Sequence, residues 1–368
     1  MMTRGEKLVI FLDSTKDSKR SKSMELPRLI VIGHEIIDDV GDICKKLFLT
    51  GKALIISDEN TKKIAGDQIE DILSKKPFRV EQYVIQDATM AEVKKVKKFI
   101  KNNNISFVLG VGGGRPIDVA KCSSFYSELP FISVPTAASH DGIVSSRASI
   151  MNKNRKESIT AQTPIALIGD AKIIATSPYK LLAAGCGDII SNYSAVRDWV
   201  LANKLKNEYF SNYAAALSEM TAQILVENSK MIRPNFEESA RMVVKALVSS
   251  GVAMSIAGSS RPASGSEHMF SHALDRLAPK PALHGEQCAV GCIMMMYLHG
   301  GDWQSIKNAL ERIGVPTTAF GLGIDESIIV EALTIAHTIR PERYTILGDG
   351  LTREAAEDLA IKTGVITS

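Results

Sequence analysis

A parallel α/β sheet domain followed by an all-helical domain is the fold class this sequence predicts, and three observations carry it. Between Leu26 and Asp170, short β-branched runs alternate with stretches of helical periodicity, the pattern of a parallel sheet covered by helices on both faces. Past Asp170 the strand signals stop, and from about Lys180 helical patterns follow one another, divided by Pro234, Pro262, Pro279, Pro281, Pro316 and Pro341. A length of 368 residues suits two domains and can bury sizeable cores. The expected division is 26–177 for the α/β domain and 178–368 for the helical one, with the boundary near Ser177–Pro178. Residues 1–25 form an extension whose segment Asp13–Ser23, DSTKDSKRSKS, is polar and charged enough to read as disordered.

In chain order, the spacing predicts strands at Arg28–Ile32, Ala53–Ser57, Arg79–Val84, Phe107–Val111, Phe131–Val134 and Ile165–Ile168. Helices are expected between them at Ile36–Phe48, Thr61–Leu73, Ala91–Asn102 and Ile117–Tyr126. Residues 144–162 break the rhythm: two extended runs flank a polar centre, which reads as an inserted hairpin.

Composition narrows the function. A net charge of +3 implies no nucleic-acid footprint, although the basic excess lies in residues 1–176 and would suit a polyphosphate ligand. The longest apolar runs, Ala246–Gly258 and Cys288–Leu298, fall short of the roughly 20 residues needed to cross a bilayer. Cys44, Cys122, Cys186, Cys288 and Cys292 form no CxxC pair and sit in apolar surroundings, so they read as core residues in a reducing cytoplasm.

The strongest motif of the first half is VLGVGGGRPIDVAK, Val108–Lys121. A β-type run feeds three glycines, and Pro116 stands at the first turn of a helix. Glycines let a phosphate approach backbone N–H groups, and the helix start adds positive charge. Arg115 and Lys121 offer side-chain charge. At the carboxyl end of a parallel strand this loop is a cofactor candidate, though it matches neither GxGxxG nor the P-loop. Asp58, ending ALIISD, is placed to accept a ribose hydroxyl, with an ordinary turn Asp as the alternative. The loop VPTAASHDGIVSS supplies Thr136, Ser139 and Ser145 as ligand donors and Asp141 as an acid or substrate contact. His140 reads as a solvent-facing residue.

In the second half, SGSEHMFSHALDRLAPKPALHGE gathers His268, His272 and His284. An amphipathic helix is expected to stop near Ala278, before Pro279 and Pro281. On it His268 and His272 stand at i and i+4, a good metal clamp by spacing alone. His284 opens the next helix, so a cation or a substrate can lie between the two helix ends.

Five motifs in order, GVGGGRPIDVAK, VPTAASHDG, GCGDIISN, GSEHMFSHALD and LHGEQ, resemble the glycerol-1-phosphate dehydrogenases of archaea and span almost the whole chain. The wider superfamily includes glycerol dehydrogenase, iron-dependent alcohol dehydrogenases and dehydroquinate synthase. The resemblance implies the dehydroquinate synthase-like arrangement, a Rossmann-like nucleotide domain followed by a helical metal-binding domain. It implies NAD or NADP held by Gly114, Arg115, Pro116, Ile117, Asp118, Thr136, Ala137, Ala138, Ser139 and Ser145. It implies one zinc ion per subunit on Asp188, His268 and His284, with Asp141, Asp188 and His272 contacting substrate and Asp141 and His272 catalytic. His272 is thereby separated from the spacing-based clamp. The implied reaction is reduction of dihydroxyacetone phosphate to sn-glycerol 1-phosphate, the backbone of archaeal ether lipids, by a cytoplasmic homo-oligomer without nucleic-acid partners or a membrane span. A lyase of the dehydroquinate synthase kind, a glycerol dehydrogenase acting without phosphate and a silent nucleotide-binding protein are the rival readings.

The resemblance names no residue for the substrate phosphate. Arg261 is the first candidate, seven residues before His268, with the N–H groups of Ser264, Gly265 and Ser266 expected to face the same anion. Arg147, Lys156 and Arg276 are alternatives.

Overall fold

The computed structural model describes residues 24–153 and 155–367, so Asp13–Ser23 and the side chain of Lys156 lie outside the described residues. Among the described residues eight strands form: β1 (Leu29–Gly33), β2 (Lys52–Ser57), β3 (Arg79–Val84), β4 (Phe107–Gly112), β5 (Phe131–Pro135), β6 (Arg147–Asn152), β7 (Arg155–Thr160) and β8 (Ala166–Asp170). Six of them make one parallel sheet in the order β1-β8-β5-β4-β2-β3. The central β4 and β5 are buried throughout, which is why their sequences run apolar without alternation. The inserted hairpin is the antiparallel pair β6–β7.

The chain leaves β2 for the edge strand β3, then crosses back to place β4 on the other side of β2. That reversal opens a crevice at the carboxyl ends of β2 and β4, where open α/β sheets bind ligands. The helix expected from Thr61 starts at Glu59, because Asp58 caps it. Asp58 Oδ1 accepts from the N–H groups of Asn60 and Thr61 at 3.1 and 2.9 Å.

Beyond Asp170 the described residues form helices only. Helix Glu237–Ala257 is long and apolar enough to cross a membrane by length and composition, but it is largely buried inside the fold. It packs on helix Asn212–Glu227 and reaches β1. One continuous apolar core joins Leu54 and Val108 of the sheet to Ile189, Leu247, Ile293 and Leu310 of the helices. A second core, around Phe270, Met294 and Leu333, lies within the helical half.

Candidate active site

A cleft of about 1160 Å³ runs from the carboxyl ends of β2 and β4 to the three clustered histidines. On the sheet side it is lined by Asp58, Gly113, Gly114, Arg115, Pro116, Asp118, Thr136, Ala137, Ser139, Asp141 and Ser145. Ile117 and Ala138, expected among the cofactor contacts, are fully buried and do not line the cleft. Ile117 lies on the inner face of its helix, where it packs in the core. The cradle has the shape a pyrophosphate needs. A side chain at Gly113 would meet nothing within 4 Å, so the backbone there is open to the cleft. Gly114 is glycine for another reason, because a Cβ there would lie 2.3 Å from His140 Nε2.

His140 does not simply face solvent. Its Nδ1 accepts from the Gly142 N–H at 3.0 Å, capping the turn that begins at Asp141, and the ring lines the cleft. Lys121, expected to add charge near the phosphates, is fully buried. Its Nζ donates to the carbonyls of Gly142 and Arg147 at 2.5 and 2.6 Å and sits 3.6 Å from Asp118. The lysine thus ties the glycine-loop helix to the loop that carries Asp141. Asp118 Oδ2 accepts from the Ser149 N–H at 3.0 Å.

On the helical side, three helices meet. Helix Tyr179–Ile190 brings Asp188, helix Ser266–Leu277 brings His268 and His272, and helix His284–Leu298 begins with His284. Glycines allow the approach: a Cβ on Gly187 would lie 2.4 Å from Gly285 O, and one on Gly285 would lie 1.9 Å from Ala184 O. Asp188 Oδ1 therefore stands 3.7 Å from His268 Nε2 and 3.8 Å from His284 Nε2. These separations are too long for hydrogen bonds. They are near the roughly 3.3–3.4 Å edge of a tetrahedron whose metal bonds are about 2.0–2.1 Å.

The surroundings prepare the donors. His268 Nδ1 lies 2.8 Å from Glu267 Oε1, and Glu267 is itself held by Gly265 N–H at 2.6 Å and Ser194 Oγ at 2.7 Å. That carboxylate orients the ring and leaves Nε2 to face Asp188. Burial, and then the charges of His272, Arg340 and Arg343, hold the His268 imidazole well below its usual pKa, in the neutral ligand form. His284 Nδ1 lies 3.1 Å from Ser271 Oγ. Burial, and next the neighbouring Asp141, push Asp188 well above the usual carboxylate range. Asp141 is pushed up to about 6 by burial, opposed by a hydrogen bond from Ser250 at 3.1 Å. Two carboxyls buried this close together are stabilised as anions by a cation held among the donors. The donor set fits a divalent metal.

Cys288 is fully buried, as expected of a core residue, and also stands among the donors. Its Sγ lies 3.6 Å from His284 Nε2 and belongs to the same donor group as Asp188, His268 and His284, one turn beyond His284 on the same helix. It lies behind the cleft lining. His272 stands outside that group. Its Nδ1 is 3.6 Å from Asp275 Oδ2, and its ring stacks on His284 at a centroid distance of 5.7 Å, lining the cleft.

Arg261 is corrected by the structure. It is 2% exposed, its guanidinium forks onto Glu208, and it donates to Tyr344 O at 3.0 Å, away from the cleft. The backbone donors expected beside it are also engaged. Ser266 N–H goes to Asp198 Oδ2 at 2.7 Å and Gly265 N–H to Glu267, so protein carboxylates occupy that helix start. Arg340, which the sequence reading passed over, lines the cleft together with Arg147.

Residues 31–178 match the family model of iron-containing alcohol dehydrogenases. The chain is 57% identical over 96% of its length to glycerol-1-phosphate dehydrogenase (NAD(P)+) of Methanosarcina acetivorans, covering 99% of that protein. It is 58% identical over 93% of its length to the protein of that name from Thermococcus sibiricus, covering 98% of it. The chain belongs to the glycerol-1-phosphate dehydrogenase family. This makes it an oxidoreductase. The fold of this family member is also that of glycerol dehydrogenase from Schizosaccharomyces pombe, at a TM-score of 0.76 and 21% identity over 93% of this chain and 90% of that one. A sulfoacetaldehyde reductase from Bifidobacterium kashiwanohense, solved with NAD+, superposes with a TM-score of 0.75 at 16% identity over 94% of this chain and 99% of that one.

Proposed function

We propose that this chain reduces dihydroxyacetone phosphate to sn-glycerol 1-phosphate with NADH or NADPH, as a cytoplasmic enzyme that supplies the glycerophosphate backbone of archaeal ether lipids. The observation that carries the reading is the meeting, in one cleft, of an open glycine cradle with the facing donors of Asp188, His268 and His284. The names of the two relatives support the substrate pair. Asp188, His268 and His284 would hold a zinc ion, which would supply Lewis acidity at the C2 carbonyl. A nicotinamide bound in the glycine cradle would supply the hydride.

The remaining work belongs to side chains of this protein. Gly113 and Gly114 leave the backbone open for the pyrophosphate, and Thr136, Ser139 and Ser145 line the path of the cofactor. Glu267 keeps the His268 ring aimed, while Lys121 holds the loop of Asp141 against the glycine helix. Asp141, fixed by Ser250, binds a substrate hydroxyl. His272, beside Asp275, delivers the proton that completes the alcohol at the C2 oxygen. The deciding experiment follows NADH and NADPH absorbance with dihydroxyacetone phosphate, with dihydroxyacetone and with no ketone. Faster oxidation on the phosphorylated ketone, abolished by chelation and restored by zinc, is expected; equal rates on both ketones would point to a glycerol dehydrogenase.

A further inference from the structure

Arg147 and Arg340 line the cleft, Arg261 and Arg343 lie outside its lining, and the four differ in what they already hold. Arg261 is neutralised by Glu208. Arg343 donates to Ser264 O at 2.9 Å and to Ser260 Oγ at 2.8 Å, fixing the turn that leads into the histidine helix. Arg147, on the hairpin, donates to Ser158 Oγ at 3.2 Å, to Ser158 O at 2.8 Å and to Thr160 Oγ1, all neutral acceptors. Arg340 makes no hydrogen bond and no ion pair among the described residues. Arg147 and Arg340 both line the cleft, together with Ser158, Ser260, His268 and His272.

Such an arrangement is costly without a ligand. Arg340 is half-buried and feels the repulsion of Arg147, and burial followed by that repulsion lowers its pKa. Among the described residues neither guanidinium has a carboxylate in ion-pair contact. The nearby Glu267 is committed to His268. Two unneutralised, part-buried cations facing one volume call for an anion carrying about two charges, and a guanidinium fork matches phosphate oxygens in pairs.

We propose that Arg340 and Arg147 form the subsite for the substrate's terminal phosphate, Arg340 closing on the dianion from the helical side and Arg147 from the hairpin. Ser158 and Ser260, on the same lining, add hydroxyls at the rim. The subsite shares its cleft with His268 and His284 of the metal donors, as a ketone carrying a phosphate requires. It rests on the reading of a phosphorylated triose substrate and explains how such a substrate is told from the bare ketone.

Two measurements test it. In the zinc-loaded enzyme, the ratio of kcat/KM for dihydroxyacetone phosphate to that for dihydroxyacetone is expected to fall about 10- to 150-fold in Arg340→Ala, the scale of one lost charge-assisted hydrogen-bonding partner. Arg340→Lys, which keeps the charge without the fork, should recover part of the ratio, and added guanidinium ion should raise it in the alanine variant. An unchanged ratio, or an equal loss on both ketones, overturns the subsite. The second measurement needs no turnover: calorimetry of the NADH-bound enzyme with phosphite dianion. Binding by the native chain that Arg340→Ala and Arg147→Ala each weaken supports the subsite even if dihydroxyacetone phosphate is not the substrate. Equal phosphite binding by native chain and both variants overturns it. Absence of any rate with dihydroxyacetone phosphate in a native chain that binds phosphite at Arg340 would instead overturn the reading of the substrate.

Discussion

Gly113 and Gly114 are adjacent yet make different demands. At Gly113 an added side chain enters open cleft, so Gly113→Val is expected to leave fold and metal binding intact. It should weaken NADH at least about 10-fold by calorimetry, through loss of close approach to the backbone N–H groups. Gly114→Val strikes the His140 ring first and disturbs the Asp141 turn, so its effect would mix two causes. Glu267→Gln should lower metal affinity about 10- to 100-fold in a chelator competition while nucleotide affinity holds, because the His268 ring loses its charged partner. Part of this site was readable from residue types, glycines after a strand and histidines around a helix break, whereas Asp188 in GCGD came in only through the family resemblance. Cys288 was not, because an apolar run such as CAVGCIMMMYL reads as core until the partner helices are in place. Arg340 was not, because its meaning comes from lacking a partner, which no single sequence displays.

Between elements, the donors depend on glycine contacts as much as on the histidines. Gly187→Ala places a methyl 2.4 Å from Gly285 O, and the two helices must part to admit it. A stability loss of about 1–3 kcal/mol in denaturant titration is expected, accompanied by weaker metal binding, because Asp188 moves relative to His284. Arg261→Ala is expected to lower the melting temperature and to leave the preference between phosphorylated and bare ketone as it was, since its fork serves Glu208 and Tyr344. The strands were legible to within a residue or two, because buried parallel strands are short apolar runs bounded by turn residues. Helix ends followed the caps: Pro279 ends the histidine helix after Leu277, and Asp58 draws the helix expected from Thr61 back to Glu59. What the sequence could not convey was that Asp198 already fills the helix start proposed for an anion, because that contact joins residues far apart in the chain, whereas Glu267 holds Gly265 locally.

At the scale of the molecule, the continuous core from Leu54 to Leu310 couples the sheet half to the helical half. A single cooperative thermal transition is expected, despite a sequence that reads as two domains. Bound zinc at 100 times its dissociation constant should add about 2.7 kcal/mol to that transition, and chelation should remove it. The donors themselves are placed by Glu267, Ser271 and the glycine contacts, none of which needs the ion. Folding can therefore run to completion first and loading can follow, the reverse of a zinc finger. Chain refolded in chelator should regain its native circular dichroism and take up metal afterwards. A site finished before its ion arrives accepts what the cell offers, so the metal content of purified protein should track the zinc and iron of the growth medium.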